Sequence, residues 1–523
     1  MIRRSIVRRG PALLLSFVAA AALSLVCVTP AWADPGNDEL ETATTVQVNQ
    51  TVSGTTLSTS DDDFYRFTTP SDGIVQLSLS NAQNSRGGWN VRLRNLDDDA
   101  IASFGWESSA TSHSGTRVGL PKGTYVVEVS PYSNTSGQRY SLTVGFSAAS
   151  NWETEFNDGL ETADPLAVNS AVKGSTIDSG DDDFYRFTTP SDGIVQLSLS
   201  NAQNSRGGWN VRLRDQSDET IASFGWEASA TSHSGTRIGL PKGTYTVEVS
   251  PYSNTSGQEY TLTAGFTAAS NWETEFNDNL STADTITLGK TINGSSIDSS
   301  DDDFYRLVLS KSSTVYLRLT NAQYSRGGWR VYLRDINNNA IVNYDCGADQ
   351  TSHSSSAIRL DAGTYTFEVS PYSNTSGHEY TLTVSDSPQT QTMYRLYNPY
   401  TGEHFYTANA GERDTLKSIG WTYEGVGWVA PLEGDPVYRL FNPYTDDHHY
   451  TTSASERDTL KSIGWRYEGV GWRSGGSVPV LRQFNPYVRT ATHNYTVSRE
   501  ENDKLVSLGW REEGTGWYAV SAK

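Results

Sequence analysis

Hydrophobic and polar residues alternate through most of this chain, and that period of two predicts β-strands. In "DFYRFTT" Tyr65 and Phe67 share one face; in "GIVQLSLS" Val75, Leu77 and Leu79 do, and in "WNVRLR" Val91 and Leu93. "PSDG", "LDDD" and "PKG" supply the turns between them. About eight such strands in ~115 residues, with no long helical pattern, predict an antiparallel β-sandwich. The last ~130 residues change character. There the pattern predicts strand, turn, strand, then a short helix over "AGERDTLKSIG", then a strand through "YEGVGW". Leu416 and Ile419 sit three apart, as an inward helical stripe needs, and Gly420 is placed as a helix stop.

Both patterns repeat. "DDDFYR" occurs at 61–66, 181–186 and 301–306, and "SRGGW" and "SPYSNTSG" recur with the same period of 120 residues. Residues 61–94 and 181–214 are identical, which marks a recent duplication; the third copy has drifted. Near the C-terminus, residues 393–428 recur as 437–472 and, more loosely, as 481–517. A unit of ~44 residues cannot bury a core alone, so three are expected to close into one pseudo-threefold domain. The predicted fold class is therefore mainly β: three antiparallel jelly-roll-like β-sandwiches in tandem, plus a C-terminal pseudo-threefold domain of strand-strand-helix-strand repeats. The expected boundaries are a signal peptide over 1–33, sandwiches over 34–150, 151–270 and 271–386, a linker over 387–392, and a tryptophan-rich triple repeat over 393–523.

The motifs "E-x-E-x-N-D…TA", "DxDFYRF" and "GTYxVEVSPY" resemble the bacterial pre-peptidase C-terminal domain, a family that includes the collagen-binding modules of clostridial collagenases. The resemblance covers all three 120-residue copies and implies a calcium-binding jelly-roll sandwich, usually appended to secreted peptidases. The C-terminal copies are similar to a tryptophan-rich triple repeat of unassigned function in secreted Gram-positive wall hydrolases and surface proteins.

Composition narrows the function classes. Arg3, Arg4, Arg8 and Arg9 precede an apolar run from Ala12 to Val28, and "AWA" ends at Ala33, a secretory signal pattern. The chain carries a net charge of −20. Such a surface repels nucleic acid and anionic lipid. No second apolar stretch approaches the ~20 residues of a membrane span. Beyond the signal segment only Cys346 remains, so cores, metal ions or both must supply the stability that disulfides give many secreted chains.

The stretch "NWETEFNDGL" (151–160) holds the first candidate chemistry. Calcium takes six to eight oxygen ligands, and an extended backbone would put Glu153, Glu155 and Asn157 on one side, with Asp158 next to them. Asp178, Asp181 and Asp183 follow. The family resemblance implies that the two groups clamp calcium together. The third copy matches with Glu273, Glu275, Asn277, Asp278, Asp298, Asp301 and Asp303. In the first copy Ala33 and Pro35 stand where the glutamates should be and Ser58 replaces the aspartate, leaving Asn37, Asp38, Asp61 and Asp63. Structural Ca2+ is thus expected in repeats 2 and 3, with a weak or absent site in repeat 1. "DINNNA" (335–340) lacks the glycine and glutamate of an EF-hand and is expected to be a hairpin turn.

His113, His233 and His353 are expected to be structural or surface residues. His404, His448 and His493 are expected to be buried and hydrogen-bonded; the alternative is convergence on a metal at the pseudo-threefold axis. For ligand binding, the candidates are Tyr406, Tyr450 and Tyr495 with Trp421, Trp465 and Trp510, since aromatic faces suit sugar rings and extended peptides. Trp428, Trp472 and Trp517 are expected in the core, and part of the tyrosine set at the surface. "RGGW" (86–89) and Tyr132 with their repeats are lesser candidates. Cys346 replaces the tryptophan of "FGWE" and is expected either to be buried or to cross-link chains.

No G-x-S-x-G, H-E-x-x-H or H-x-x-E-H signature occurs, and no non-repetitive segment is long enough for a catalytic domain. The expected function is that of a secreted, non-catalytic, multi-module binding protein of the bacterial envelope, an adhesin or cell-wall- or glycan-binding protein, with calcium stiffening the sandwiches. Its expected partners are cell-wall polysaccharide, host glycan or extracellular matrix protein, with no nucleic acid and no membrane span; non-covalent wall association fits this. The alternative is an accessory or targeting subunit for a separate secreted peptidase or wall hydrolase.

Overall fold

The computed structural model of the chain describes residues 36–80, 88–105, 111–133, 135–201, 208–225, 231–253, 255–321, 328–346, 352–373 and 376–523. The signal segment, Arg86, Gly87, Trp106 and Trp226 lie outside them. The chain divides into two compact units, one ending at Ser150 and one running from Asn151 to Lys523.

The first unit is a sandwich of two sheets. Its strands are β1 (Thr44–Thr45), β2 (Thr51–Thr56), β3 (Asp63–Thr68), β4 (Gly73–Ser80), β5 (Gly88–Arg94), β6 (Ala100–Gly105), β7 (Ser112–Ser114), β8 (Val118–Leu120), β9 (Thr124–Ser133) and β10 (Gln138–Ala148). One sheet has the order β1-β3-β9-β5-β6, the other β2-β10-β4-β7, with β8 also on β4. All pairs are antiparallel except β1 on β3. The alternation in sequence becomes the two-sided burial of each strand. Tyr65, Phe67, Val75, Leu77, Leu79, Val91 and Leu93 all face the core. Trp89 is fully buried and donates its indole N–H to Thr56 Oγ1 at 2.8 Å.

The second unit repeats this topology twice, over 164–268 and 284–385, with the same strand order in each sheet. Trp209 and Trp329 take the place of Trp89, and Cys346 is buried in the third core, where burial raises its thiol pKa. Asp335 Oδ1 accepts the backbone N–H of Asn337 and Asn339, which makes "DINNNA" the expected hairpin turn.

The two sandwiches of this unit meet through residues 237–239 of one and the acidic stretch and Ser295 of the other. The N–H of Glu275 donates to the carbonyl of Gly239 at 3.0 Å, and Ser295 Oγ donates to the Arg237 carbonyl at 2.6 Å. Arg237 pairs with Glu379 and lies 4.7 Å over the Trp272 ring.

The C-terminal part holds three three-stranded sheets, each with its first strand in the middle: Thr390–Tyr397, Asp435–Asn442 and Val478–Phe484. The first of these begins at Thr390, inside the stretch expected to be linker. Helices α1 (Ala410–Ser418), α2 (Ala454–Ser462) and α3 (Arg499–Ser507) are capped by Asn409, Ser453 and Ser498. Gly420 ends α1 with φ +102°, as expected, but Ile419 is 65% exposed. The helix stops one residue before Ile419, which turns that side chain outward instead of along the inward stripe.

The copies close around their own axis. Trp428, Trp472 and Trp517 meet with ring centroids 5.3–5.7 Å apart, in tilted and edge-to-face pairs. Around them the N–H groups of Tyr406, Tyr450 and Tyr495 donate in a cycle to the hydroxyls of Tyr450, Tyr495 and Tyr406, at 3.1–3.2 Å. Each hydroxyl donates in turn to a backbone carbonyl of a neighbouring copy. Arg395, Arg439 and Arg482 form ion pairs with Glu501, Glu412 and Glu456, each on the helix of another copy. No helix among the described residues is long and apolar enough to cross a membrane.

Candidate metal centre

The acidic stretch 151–158 is held as an added edge. Trp152 bridges Lys173 in parallel, and the Glu153 N–H donates to the Lys173 carbonyl at 2.8 Å. The Asn157 carbonyl accepts the N–H of Phe184 at 3.0 Å, so this stretch is stitched to the β3 counterpart (Asp183–Thr188) that carries the second acid group. The peptide between Glu155 and Phe156 is cis. Thr154 turns away from the cluster and donates its N–H and hydroxyl to Asp164.

Glu153, Glu155, Asn157, Asp181 and Asp183 converge in a buried cluster. Several of their oxygens are already engaged: Glu153 Oε1 accepts the Ser175 N–H at 3.0 Å, Asp181 Oδ2 the Ile177 N–H at 2.6 Å, and Asp183 Oδ2 the Tyr260 hydroxyl at 2.6 Å. Glu153 Oε2, Glu155 Oε1, Asn157 Oδ1 and Asp183 Oδ1 are buried with no hydrogen-bond partner. The Asn157 amide and Asp183 face each other without reaching hydrogen-bond geometry. Glu155, Asp158 and Asp181 each bring a carboxylate oxygen within 4.8 Å of the others. Asp158 sits at the rim, exposed. Asp178 is also exposed and uses Oδ1 to accept the Gly180 N–H at 2.7 Å.

The third copy repeats the arrangement and adds to it. Glu273, Glu275 and Asp303 form one buried group, and Glu275, Asp278 and Asp301 a second, so Glu275 is common to both. Glu273 Oε2 accepts the Tyr305 hydroxyl at 3.0 Å, while Glu275 Oε1, Asn277 Oδ1 and Asp303 Oδ1 have no partner. Asp298, like Asp178, is exposed and caps a backbone N–H, that of Ser300. In the first copy Asn37, Asp61 and Asp63 keep their buried places, and no such carboxylate group occurs among its described residues.

Electrostatics state the cost of leaving these groups charged. Burial first, then neighbouring carboxylates, pushes Glu153, Glu155 and Asp183 well above the usual carboxylate range, and Glu273, Glu275 and Asp303 likewise. Burial also raises Asp181 to about 7, against the lowering effect of the Ile177 N–H, and Asp301 to about 7 against that of Ile297. A cation removes the need for those protons. The donor set is all oxygen, with no sulfur or imidazole, which suits a hard cation such as calcium.

The other predicted sites are placed as follows. Tyr406, Tyr450 and Tyr495 are at most 1% exposed, so the expectation of surface tyrosines there is corrected. Closure of three copies brings them to the axis, where their rings fill space and their hydroxyls serve the backbone. Trp428, Trp472 and Trp517 are in the core as expected. Trp421, Trp465 and Trp510 are half-buried; Trp421 meets Phe405 edge-on at 6.0 Å and Trp465 meets His449 at 6.1 Å. Among the described residues His404, His448 and His493 form no metal-ligating group; they lie 3.4–3.6 Å from Glu424, Glu468 and Glu513. His113 and His233 are exposed beside Phe104 and Phe224, and His353 stacks on Tyr344. Tyr132 and Tyr252 are exposed. The sequence reading passed over three other exposed tyrosines, Tyr400, Tyr444 and Tyr487, whose signal was the recurrence of "NPY".

Residues 392–520 match the family model of a domain of unknown function (DUF5648). Among solved structures, the pre-peptidase C-terminal domain of a collagenase from Bacillus anthracis is similar at 21% identity over 20% of this chain and 93% of its own, with TM-score 0.17. PNGase F, a glycosylasparaginase from Flavobacterium meningosepticum, is similar at 12% identity over 42% and 97%, TM-score 0.17. The CUB1-EGF-CUB2 domain of human MASP-1/3 is similar at 11% identity over 41% and 99%, TM-score 0.13.

Proposed function

We propose that this chain is a secreted, non-catalytic, multi-module binding protein of the bacterial envelope, in which calcium consolidates the second and third sandwiches. One observation carries the metal part of this reading: buried carboxylate and amide oxygens left without partners at Glu153, Glu155, Asn157 and Asp183, and again at Glu275, Asn277 and Asp303. An unpaired buried charge is costly, and calcium supplies the missing counter-charge to six or more oxygens at once. Glu153, Glu155, Asn157, Asp158, Asp181 and Asp183 would hold it in repeat 2, with Glu273, Glu275, Asn277, Asp278, Asp301 and Asp303 in repeat 3. Asp178 and Asp298 would act from the rim through their charge.

The role of the metal is mechanical. The acidic stretch of repeat 3 is also the surface on which repeat 2 rests, through the Glu275 N–H and the Gly239 carbonyl. A cation on Glu273 and Glu275 therefore fixes the stretch that joins two sandwiches. The binding reading is supported by exposed tyrosines that recur in both repeat families, Tyr132 with Tyr252 and Tyr400 with Tyr444 and Tyr487.

The test is calcium titration of the full chain by isothermal calorimetry. Saturable binding is expected in the range of ~10⁻⁴–10⁻³ M typical of extracellular modules. Glu155→Ala with Glu275→Ala is expected to abolish it. A chain that binds no calcium, or a double variant that binds it unchanged, would overturn the metal part.

A further inference from the structure

The C-terminal domain carries three matching exposed platforms that its own core does not use. Tyr400, Tyr444 and Tyr487 are 86%, 79% and 76% exposed. Each stands in an "NPY" turn closed by an Asn side chain: Asn398, Asn442 and Asn485 Oδ1 accept the N–H of the tyrosine two residues on, at 3.0–3.1 Å. The phenol end of each ring lies against a glycine that ends the helix of its copy. A Cβ on Gly464 would stand 3.1 Å from the Tyr444 ring and hydroxyl, and one on Gly509 2.7 Å from the Tyr487 hydroxyl. Those glycines also have φ of +100° and +94°, so both the turn and the ring placement exclude a side chain. Immediately before each glycine stands an exposed aliphatic residue: Ile419, Ile463 and Leu508, at 65%, 63% and 60%. Immediately after it comes Trp421, Trp465 or Trp510.

The third copy shows which features outlast drift. It has lost the stack in which Arg413 lies over Tyr394 and Tyr423, and Arg457 over Tyr438 and Tyr467; Asn502, Leu481 and Glu512 stand there instead. It keeps the asparagine, the tyrosine, the aliphatic residue, the glycine and the tryptophan of the platform. The glycine is explained by its positive φ and the asparagine by the turn it closes, but the exposed tyrosine and aliphatic residue add little to a core.

We infer that these platforms are three equivalent stacking sites for a neutral, repeating glycan built of N-acetylhexosamine. This rests on the reading of the chain as a binding protein and names the ligand class of its C-terminal domain. A phenol ring with an open face takes the apolar face of a pyranose. The adjacent Ile or Leu offers a contact for an acetamide methyl group. Charge argues in the same direction. Residues 393–523 hold fourteen Lys and Arg against sixteen Asp and Glu, near balance in a chain of net −20, and the segments "NPYT", "NPYV", "SIGW" and "SLGW" carry no charge. Such a surface selects for a neutral ligand over a polyanion. Pseudo-threefold symmetry sets the three platforms at one level around the axis, which suits a polymer that offers the same unit repeatedly and gives avidity from weak single sites.

The test uses the full chain with chitotriose in solution and insoluble chitin as probes, and phosphatidylcholine vesicles and peptidoglycan as comparisons. Calorimetry with chitotriose is expected to give three equivalent weak sites, falling to two in Tyr444→Ala and none in the triple variant Tyr400→Ala, Tyr444→Ala, Tyr487→Ala. Retention on chitin is expected to drop about tenfold with each single substitution, since avidity from linked sites is worth ~10²–10⁴ in all. Circular dichroism and thermal unfolding of the triple variant are expected to match the parent. Four results would overturn the inference: no binding to either probe, a triple variant that binds as the parent does, sedimentation with phosphatidylcholine vesicles in place of chitin, or platform-dependent self-association. Retention of parent and triple variant alike on peptidoglycan would leave the binding reading standing and sink only the platforms.

Discussion

Removing calcium at pH 8 should destabilise the second and third sandwiches, and the same treatment at pH 5 should matter much less. The argument runs through Asp181 and Asp301, whose pKa rises from 3.8 to about 7 in the folded metal-free chain. A shift of about 3 units corresponds to about 4 kcal/mol between the two protonation states, an upper figure because neighbouring carboxylates titrate together. The sign is that of an acid whose folded pKa lies above its unfolded one. The folded state holds the proton more tightly, so stability is greatest below pH 4 and is lost as pH rises through about 7. Glu153, Glu155 and Asp183 shift in the same direction, which deepens the loss as pH rises. Calcium replaces those protons. At ~2 mM calcium and a Kd of ~0.1–1 mM, each site contributes about 0.6–2 kcal/mol, or about 3–8 °C for a sandwich of this size. Scanning calorimetry of the full chain with calcium and after dialysis into calcium-free buffer, at pH 5 and pH 8, with EGTA added at pH 8, reads this directly. The first sandwich is an internal reference, since Ala33 and Pro35 replace its two glutamates. Coincident transitions in calcium and EGTA at pH 8 would refute the reasoning. A sharper form uses Glu153→Gln with Glu273→Gln: these variants should be more stable than the parent in EGTA at pH 8, yet gain less from calcium.

Three further outcomes are expected. Tyr450→Phe removes the hydroxyl that accepts the Tyr406 N–H and donates to its carbonyl, and should cost about 1–3 kcal/mol in denaturant unfolding of the C-terminal domain. Trp472→Ala opens the centre of the tryptophan trio and should cost about 3–5 kcal/mol, read as loss of that domain's thermal transition. Gly239→Ala places a Cβ 1.7 Å from the Glu273 carbonyl oxygen and 2.4 Å from the Trp272 ring; it should open the joint between sandwiches two and three, seen as a larger radius in small-angle scattering, while each sandwich keeps its own unfolding transition.

What was legible in the sequence followed the range of the forces involved. Strands and their inward faces were readable because alternation is local, and the acidic clusters because both halves sit next to recognisable strands. Asp178 and Asp298 were grouped with the cluster by nearness in sequence, but each carboxylate turns outward to cap a backbone N–H two residues on. The tyrosines at 406, 450 and 495 were misplaced for a different reason. A strand pattern says which residues are apolar on one face; only closure of three copies decides that the face is an axis. Ile419 failed by one residue of helix, since α1 ends at Ser418 and leaves Ile419 as its exposed C-cap. The exposed tyrosine of each "NPY" turn recurs once per copy, but recurrence alone does not say which side of the domain it faces.

The two halves of the chain are held together by opposite means, and this bears on where each becomes stable. Around the axis of the C-terminal domain, tyrosine hydroxyls and backbone groups satisfy one another, and three arginines meet glutamates of neighbouring copies. Among the described residues that core holds no group of carboxylates for a cation to neutralise. The second and third sandwiches gather four or more carboxylates in or beside each buried cluster. At neutral pH and low calcium those charges oppose folding, and under the proposed function millimolar calcium would offset them. On the proposed reading, a cell that exports this chain moves it from the first condition to the second. The sandwiches would then tighten outside the cell, while the domain bearing the tyrosine platforms folds independently of the ion. Calcium would therefore govern how rigidly the platforms are held out, and leave their affinity for a glycan unchanged.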